Sequence, residues 1–446
     1  MSLALRPYPE YKDSGLPWLG KIPVHWEVFR NGRLFEQRNQ TGFSNLPILE
    51  VSLRTGVRVR DLENSSRKQV MSDREKYKRA CQGDVAYNMM RMWQGAVGVA
   101  PVDGLISPAY VVARPFAGTE SRFFTYLFRT KTYMDEVDKY SHGIVKDRNR
   151  LYWEDFKQMP SLVPPISEQK HIADFLEAYG RIVARLIRAK RRLIELLAER
   201  REVLTLDAFK LPGTRNLRLD VVAERVERQI NRRNHEVYTP IGLYNHGRGI
   251  FHKGPTKDSE LGDSTFFWVA EGDLVLSGQF AWEGAVALAG REDAGCVASH
   301  RYPILRGKPT VAESAYLLSF LKTGIGHLLL DEHSRGAAGR NRPLNVRTLM
   351  KEKIPIPPLN LQQEITEIVR LERKLNRTVA SQIAVLRAYR SQLISDVVTG
   401  RLDVRGAELP STDETESLEG FDAADDKESE DMQEEDLDTL LDEDEA

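Results

Sequence analysis

Residues 164–176 read PPISEQKHIADFL, and residues 357–369 read PPLNLQQEITEIV. In both places two prolines run directly into a long amphipathic pattern. Proline fixes φ and has no amide donor to lose, so it is favourable at a helix start. Ser167 and Asn360 sit at equivalent positions and are predicted N-caps, because a short polar side chain can accept an orphan helix amide. Beyond Ser167, the residues Ile172, Phe175, Tyr179, Ile182, Leu186, Ala189, Leu193, Leu196 and Val203 alternate at threes and fours, which is the seam of a coiled coil, and Leu176, Val183, Leu197 and Leu204 widen it on one side. Pro212-Gly213 ends this pattern. The second pattern runs through Ile365, Ile368, Leu375, Val379, Leu386, Tyr389 and Leu393 and ends at Gly400. Each helix is about 40 residues, hence about 60 Å long. An apolar stripe of that length needs a partner, and the other copy supplies one.

The phrase belongs to a longer repetition. Gly83-Asp84-Val85 returns as Gly272-Asp273-Leu274, and Gly95-Ala96-Val97 as Gly284-Ala285-Val286, both at an offset of 189. Arg148-Asn149-Arg150 returns as Arg340-Asn341-Arg342 at 192, and Pro164-Pro165, Gln169 and Ile172 return at 193. Their order and near-constant spacing mark a tandem duplication. Each half is a globular domain followed by a long helix. For the chain to enter its second half at the far end of the first helix, the second helix must run back, so the pair is expected to be antiparallel. Asp207 and Asp396 match near the helix ends at an offset of 189, which makes the second helix about one turn shorter and keeps its apolar face in phase.

Within the halves, short β-rich runs such as NLPILEVSL, AYVVARP and FFWVAEGDLVLSG alternate with helical stretches such as SRFFTYLFRTKTYMDEVDKY. The fold class is α/β, mixed α+β, in both halves. The expected organisation is a first domain over 1–163, a long helix in 164–212, a second domain over 213–356, a second long helix in 357–405 and an acidic tail over 406–446.

A chain of 446 residues exceeds one ordinary core. No apolar run reaches the roughly 18 residues of a membrane helix, and the N-terminal stretch has no apolar signal core. Only two cysteines occur, Cys81 and Cys296, which fits a reducing cytoplasm and no disulfide framework. The formal net charge of -1 conceals a strong asymmetry. Residues 408–446 hold 19 acidic residues and one lysine, so residues 1–407 carry 63 basic against 46 acidic, a formal +17. A body this basic points to a polyanionic partner, most often nucleic acid. The tail is expected to be disordered, serving solubility or screening the basic face. There is no GxxxxGK[ST] loop, no GxGxxG, no H-E-x-x-H and no paired CxxC, so neither catalysis nor a metal site is expected. Asp155-Phe156-Lys157 resembles a nuclease triplet only superficially; a solvated helix face explains it.

Binding features are richer. YNMMRMWQGAVG places Asn88, Arg91, Trp93 and Gln94 before a glycine turn, and LSGQFAWEGAVA places Gln279 and Trp282 before the matching one. Arg, Asn and Gln make bidentate contacts to base edges in the major groove; for the two tryptophans a plain core-anchor role is an equal alternative. A second repeated pair, SHGIVKDRNRLYW and HSRGAAGRNRPLN, carries Lys146, Arg148 and Arg150, then Arg335, Arg340 and Arg342, in glycine-containing basic loops suited to phosphate contact. Arg54 and Arg58 in LRTGVRVR add a weaker patch.

The stretch YKDSGLPWLGKIPVHWEV, the loop NMMRMWQGAVGV, the stretch DRNRLYW and the two PP[IL]xxxQxxI helix starts together resemble the specificity subunit of type I restriction-modification enzymes, over about residues 8–405. The resemblance implies that each globular half is a target recognition domain and each helix a spacer region. It implies a non-catalytic subunit that reads a bipartite, asymmetric site on double-stranded DNA. It further implies recruitment of two methyltransferase subunits and of restriction/translocase subunits. S-adenosylmethionine, ATP and Mg are then expected on those partners and none on this chain. Exposed residues of the first helix, Arg188 and Arg192, are candidates for docking them. The rival from a different class is a coiled-coil interaction protein whose end domains bind protein partners.

Overall fold

The computed structural model describes residues 5–53, 55–60, 74–143, 149–232, 236–336 and 342–409. The chain divides into two compact units, residues 1–189 with 382–446, and residues 190–381. Both mix helix and strand, in keeping with the expected class.

The first unit is built on a four-stranded antiparallel sheet. Its strands are β1 (Phe35–Arg38), β2 (Val85–Asn88), β3 (Val97–Val99) and β4 (Tyr110–Pro115), in the order β1-β4-β2-β3. The second unit repeats this arrangement with β5 (Ala223–Arg225), β6 (Leu274–Leu276), β7 (Val286–Leu288) and β8 (Ile304–Gly307), in the order β5-β8-β6-β7. The duplication seen in sequence is thus a duplication of topology.

Two helices follow each sheet. In the first unit, α1 (Ser121–Phe128) is capped by the Glu120 carboxylate, which accepts the Arg122 amide at 3.2 Å. α2 (Lys131–Tyr140) is capped by the Thr130 hydroxyl. Phe123, Phe124, Leu127 and Phe128 of α1 enter a core with Trp26, Phe35, Tyr133 and Phe156. In the second unit, Tyr316, Leu317, Phe320 and Leu321 of α4 (Ser314–Leu321) do the same beside β6 and β8, and α5 (Gly324–Glu332) starts at Thr323.

The long helices are α3 (Ile166–Ala208) and α6 (Leu359–Val398). They pack antiparallel. In the first unit Phe175 and Leu176 share a core with Leu393 and Val397, and the Tyr179 and Tyr389 rings lie 6.2 Å apart. In the second, Ala208 shares a core with Ile365 and Val369, and Arg201 Nε lies 2.9 Å from Glu372 Oε2.

Two expectations about these helices need correction. The first concerns the N-caps. Both helices begin one residue before Ser167 and Asn360, and the carbonyls that accept the first amides belong to Pro165 and Pro358. The side chain that is engaged at each start is instead the repeated glutamine, as a tie to a neighbouring helix and not as a cap. Gln169 Nε2 donates to Pro164 O at 2.8 Å while its Oε1 accepts the Glu120 amide at 2.9 Å. Gln362 makes the same two bonds, to Pro357 O at 2.8 Å and from the Glu313 amide at 2.9 Å. Each buried amide therefore latches a long helix to the start of the short helix on the sheet. A serine or asparagine could not span both partners. Replacing Gln362 by alanine is expected to cost about 1–3 kcal/mol, because three backbone groups, the Pro357 and Val311 carbonyls and the Glu313 amide, lose this partner; denaturant unfolding measures it, and an unchanged midpoint would refute the latch.

The second correction concerns the seam. Ile172 and Phe175 are buried, but in the first unit Leu186 is 42% exposed while Val183 and Ile187 are 2% and 0% exposed. In the second unit Leu193 and Val203 are 51% and 56% exposed, and the buried positions are Arg201, Thr205 and Ala208. The helix packs on a globular core as well as on its antiparallel mate. That turns a different face inward from the one a free two-stranded coil would bury.

The described ends of the chain meet in the first unit. The Asp403 amide donates to Arg6 O at 2.8 Å, and Arg405 stacks over the Tyr8 ring. Buried Glu168 accepts from Tyr8 Oη at 2.6 Å and Trp26 Nε1 at 3.0 Å, and lies 2.8 Å from His25 Nε2. Burial, then the bond to Glu168, holds the Tyr8 hydroxyl far above the usual tyrosine range. The acidic tail beyond residue 409 lies outside the described residues. Among the described residues no helix is long and apolar enough to cross a membrane.

Candidate nucleic-acid interface

The two glycine turns flagged in sequence are the same structure built twice. Met92–Gln94 and Ala281–Glu283 form single 3-10 turns. Each closes on a left-handed glycine, Gly95 at φ 87° and Gly284 at φ 75°, a conformation a side chain would strain. Met92 and Ala281 point inward and are fully buried. A polar residue at the end of β2 and one just past β6 shape the turns: Asn88 Oδ1 accepts the Met90 amide at 2.9 Å, and Ser277 Oγ accepts the Phe280 amide at 3.0 Å.

The described C-terminal end of the second repeated segment lies against the turn in both units. The Leu151 amide donates to Met89 O at 2.9 Å, and the Leu344 amide to Gly278 O at 2.8 Å. Sequence offsets of 193 and 189 relate the two pairs, so a backbone bond joining two separated segments is itself duplicated. Each unit thereby gathers a tight turn and the end of a basic loop on one surface.

The side chains divide by what they already hold. Arg91 and Gln94 are exposed, and their side chains make no hydrogen bond or ion pair among the described residues. Gln279 is half-buried and equally unengaged. Arg150 is exposed and, among the described residues, is held through its backbone, which bridges to His142. Trp93 is half-buried against the first core and donates to Met90 O at 3.0 Å. Trp282 lies under the Arg342 guanidinium at 4.6 Å, with its buried Nε1 unpartnered, and Arg342 also reaches Asp331 at 3.0 Å. Arg335 donates to Glu332 O, and Arg58 pairs with Glu50 at 2.7 Å. Arg54, Lys146, Arg148 and Arg340 lie outside the described residues. Of the helix candidates, Arg188 is half-buried, and Arg192 is exposed but paired with Glu195 and Glu199.

Sequence reading passed over the chemistry of the repeated Gly-Asp. Asp84 and Asp273 are buried and hold a bidentate arginine each. Arg38 reaches Asp84 at 2.6 and 3.3 Å, and Arg228 reaches Asp273 at 2.7 and 3.1 Å. Arg306 adds a third contact to Asp273 at 3.0 Å. Hydrogen bonding to these carboxylates raises both Arg38 and Arg228 above the ordinary guanidinium range. The recurrence of Gly-Asp was the signal; the arginines carried none, because each sits about 45 residues before its aspartate in an unremarkable stretch.

No family model and no curated relative matches the sequence. Among solved structures, the chain is similar to one from a type I R-M system described in its complex assembly and conformational transition. The identity is 17% over 84% of this chain and 98% of that one, with a TM-score of 0.49. It is similar to the HsdS subunit from Thermoanaerobacter tengcongensis at 18% identity, over 85% and 98% of the two chains, with a TM-score of 0.42. It is also similar to the type I restriction-modification S subunit from M. genitalium at 14% identity, over 87% and 97%, with a TM-score of 0.44. Among the described residues no cluster of three or more His, Cys, Asp or Glu is placed to hold a metal ion.

Proposed function

We propose that this chain is the DNA-recognition subunit of a type I restriction-modification complex, reading a bipartite site with one half-site per unit. The observation that carries the reading is the duplicated turn: the same left-handed glycine, inward anchor and adjoining basic segment occur in both units, and in the first they present an exposed, uncommitted Arg91 and Gln94. Such side chains suit base-edge contacts, and the +17 body suits the phosphate backbone. The two turns differ in side chains, so the half-sites differ. The paired helices fix the spacer between them, as dimer geometry fixes half-site spacing elsewhere.

The chain itself is non-catalytic in this reading. Two methyltransferase subunits and the restriction/translocase subunits bring S-adenosylmethionine, ATP and Mg. The exposed apolar residues of the long helices support two docking places for the methyltransferase subunits. One is Ile182 and Leu186 with Val385 and Tyr389 in the first unit; the other is Leu193, Leu196 and Val203 with Leu371 in the second. These replace Arg192, already committed to two glutamates, as the residues on which recruitment depends.

The test is to map methylated adenines in host DNA after exchanging residues 1–163 for another domain of this type. One half-site is expected to change, with the other half-site and the spacer retained. A change in both halves, or in neither, refutes the assignment.

A further inference from the structure

The second unit contains a cleft of about 350 Å³ that DNA recognition leaves unused. Ligand sites in proteins start at about 300 Å³ and combine apolar walls with a few placed polar groups. This cleft has both. Val286 and Leu288 of β7, Leu318 of α4 and Val369 of α6 form its apolar side.

Lys322 is the group that decides its chemistry. It lines the cleft, and its ammonium makes no hydrogen bond or ion pair among the described residues. Burial pushes that ammonium below the ordinary lysine range, and Glu372 only partly offsets this. The neighbouring charges are already matched. Arg201 pairs with Glu372 at 2.9 Å, Arg373 with Glu292 at 2.6 Å and Asp293 at 2.8 Å, and His252 with Asp293 at 2.8 Å. Glycine makes room for two of the cations. A Cβ at Gly247 would lie 2.5 Å from Lys322 Cε, and one at Gly290 would lie 2.2 Å from Arg373 Nη2.

The first unit is filled at the corresponding positions. Offsets of 193 and 189 match Tyr126 with Ser319, Tyr179 with Glu372 and Gly98 with Ala287. There Tyr179 stacks between Phe175 and Tyr389, and bare Gly98 lets the Gly56–Val59 strand approach so closely that a Cβ would lie 2.4 Å from Val57 N. In the second unit the tyrosines become Ser319 and Glu372, and Ala287 lines the cleft while packing with Ile241 and Ile250 of the facing hairpin. In the second unit, space therefore comes together with a cation that makes no hydrogen bond or ion pair among the described residues, whereas Arg129, which matches Lys322 in the first unit, donates to Leu53 O at 2.6 Å.

We propose that this cleft binds a small organic phosphate, with the phosphate on Lys322 and the body of the molecule against Val286, Leu288 and Leu318. Lysine serves a phosphate as a compact point charge without requiring a planar partner. The proposal goes beyond DNA recognition and holds whether or not that reading does.

Titration calorimetry of the full chain tests it, with AMP, adenosine and inorganic phosphate as probes and no DNA present. AMP is expected to bind saturably, with adenosine and inorganic phosphate each about tenfold or more weaker. Lys322→Met is expected to lower AMP affinity by about ten- to a hundredfold without lowering the unfolding midpoint, because it removes a half-buried charge that has no ion-pair partner among the described residues. Gly247→Ala, which displaces Lys322 from its cradle, is expected to weaken AMP as well. Absence of AMP binding at millimolar concentration, equal binding of adenosine, or indifference to K322M each overturns the proposal. It is also overturned if duplex DNA displaces AMP and K322M weakens both alike, since the site would then hold a backbone phosphate.

Discussion

Replacing Asp273 with alanine is expected to cost the second unit about 3 kcal/mol of stability, the low end for removing one member of a buried ion pair. The aspartate is wholly buried and carries three arginine contacts together with the Ala270 amide at 2.8 Å. Its loss leaves two guanidinium groups facing a carboxylate-sized void on the sheet. The cost stays at the low end because the Arg228 and Arg306 side chains are 33% and 34% exposed and can turn toward water. Asp84→Ala should behave similarly in the first unit, where Arg38 is the one arginine bonded to that carboxylate among the described residues. Urea unfolding of the single variants measures both. A change under about 0.5 kcal/mol, the ordinary scatter of surface substitutions, would remove the ion pair from the account of why Gly-Asp is repeated.

Arg91→Ala is expected to leave stability unchanged and to lower affinity for the cognate site by about ten- to a hundredfold, the range of one lost bidentate base contact. Its side chain is exposed and makes no hydrogen bond or ion pair among the described residues. Competition binding of the assembled complex against sites altered in one half distinguishes the kinds of contact. A base contact relaxes discrimination at one position of one half-site. A phosphate contact weakens all sequences alike and flattens the salt dependence by about one unit of slope. Unchanged affinity would remove the turn from the interface altogether.

The sequence made some parts of this arrangement legible and hid others for definite reasons. The tandem repeat, the two long helices and their opposite directions follow from covalent order and local periodicity. So does the position of both glycine turns, since a left-handed residue at a fixed register leaves a mark that needs no partner. The glutamine latch was visible as a recurrence but not as a function, because its partners lie 49 residues away on the backbone of the short helix. Ser167 and Asn360 looked like caps because local propensity was the only guide to them. The joining of turn to basic segment depends on backbone groups, Met89 with Leu151 and Gly278 with Leu344, whose side chains signal nothing.

What the amino-acid order determined alone is a doubled plan: two like halves, two long amphipathic helices running back on each other, and a basic body. Tertiary structure decided which helix face is buried, that Leu186, Leu193 and Val203 stand in solvent while Arg201 is enclosed, and that one copy has a cleft where the other has tyrosine. The physical reason is that periodicity is a property of one chain segment, whereas burial is set by whatever packs against it, and a helix lying on both a core and a second helix cannot announce which will claim its apolar side.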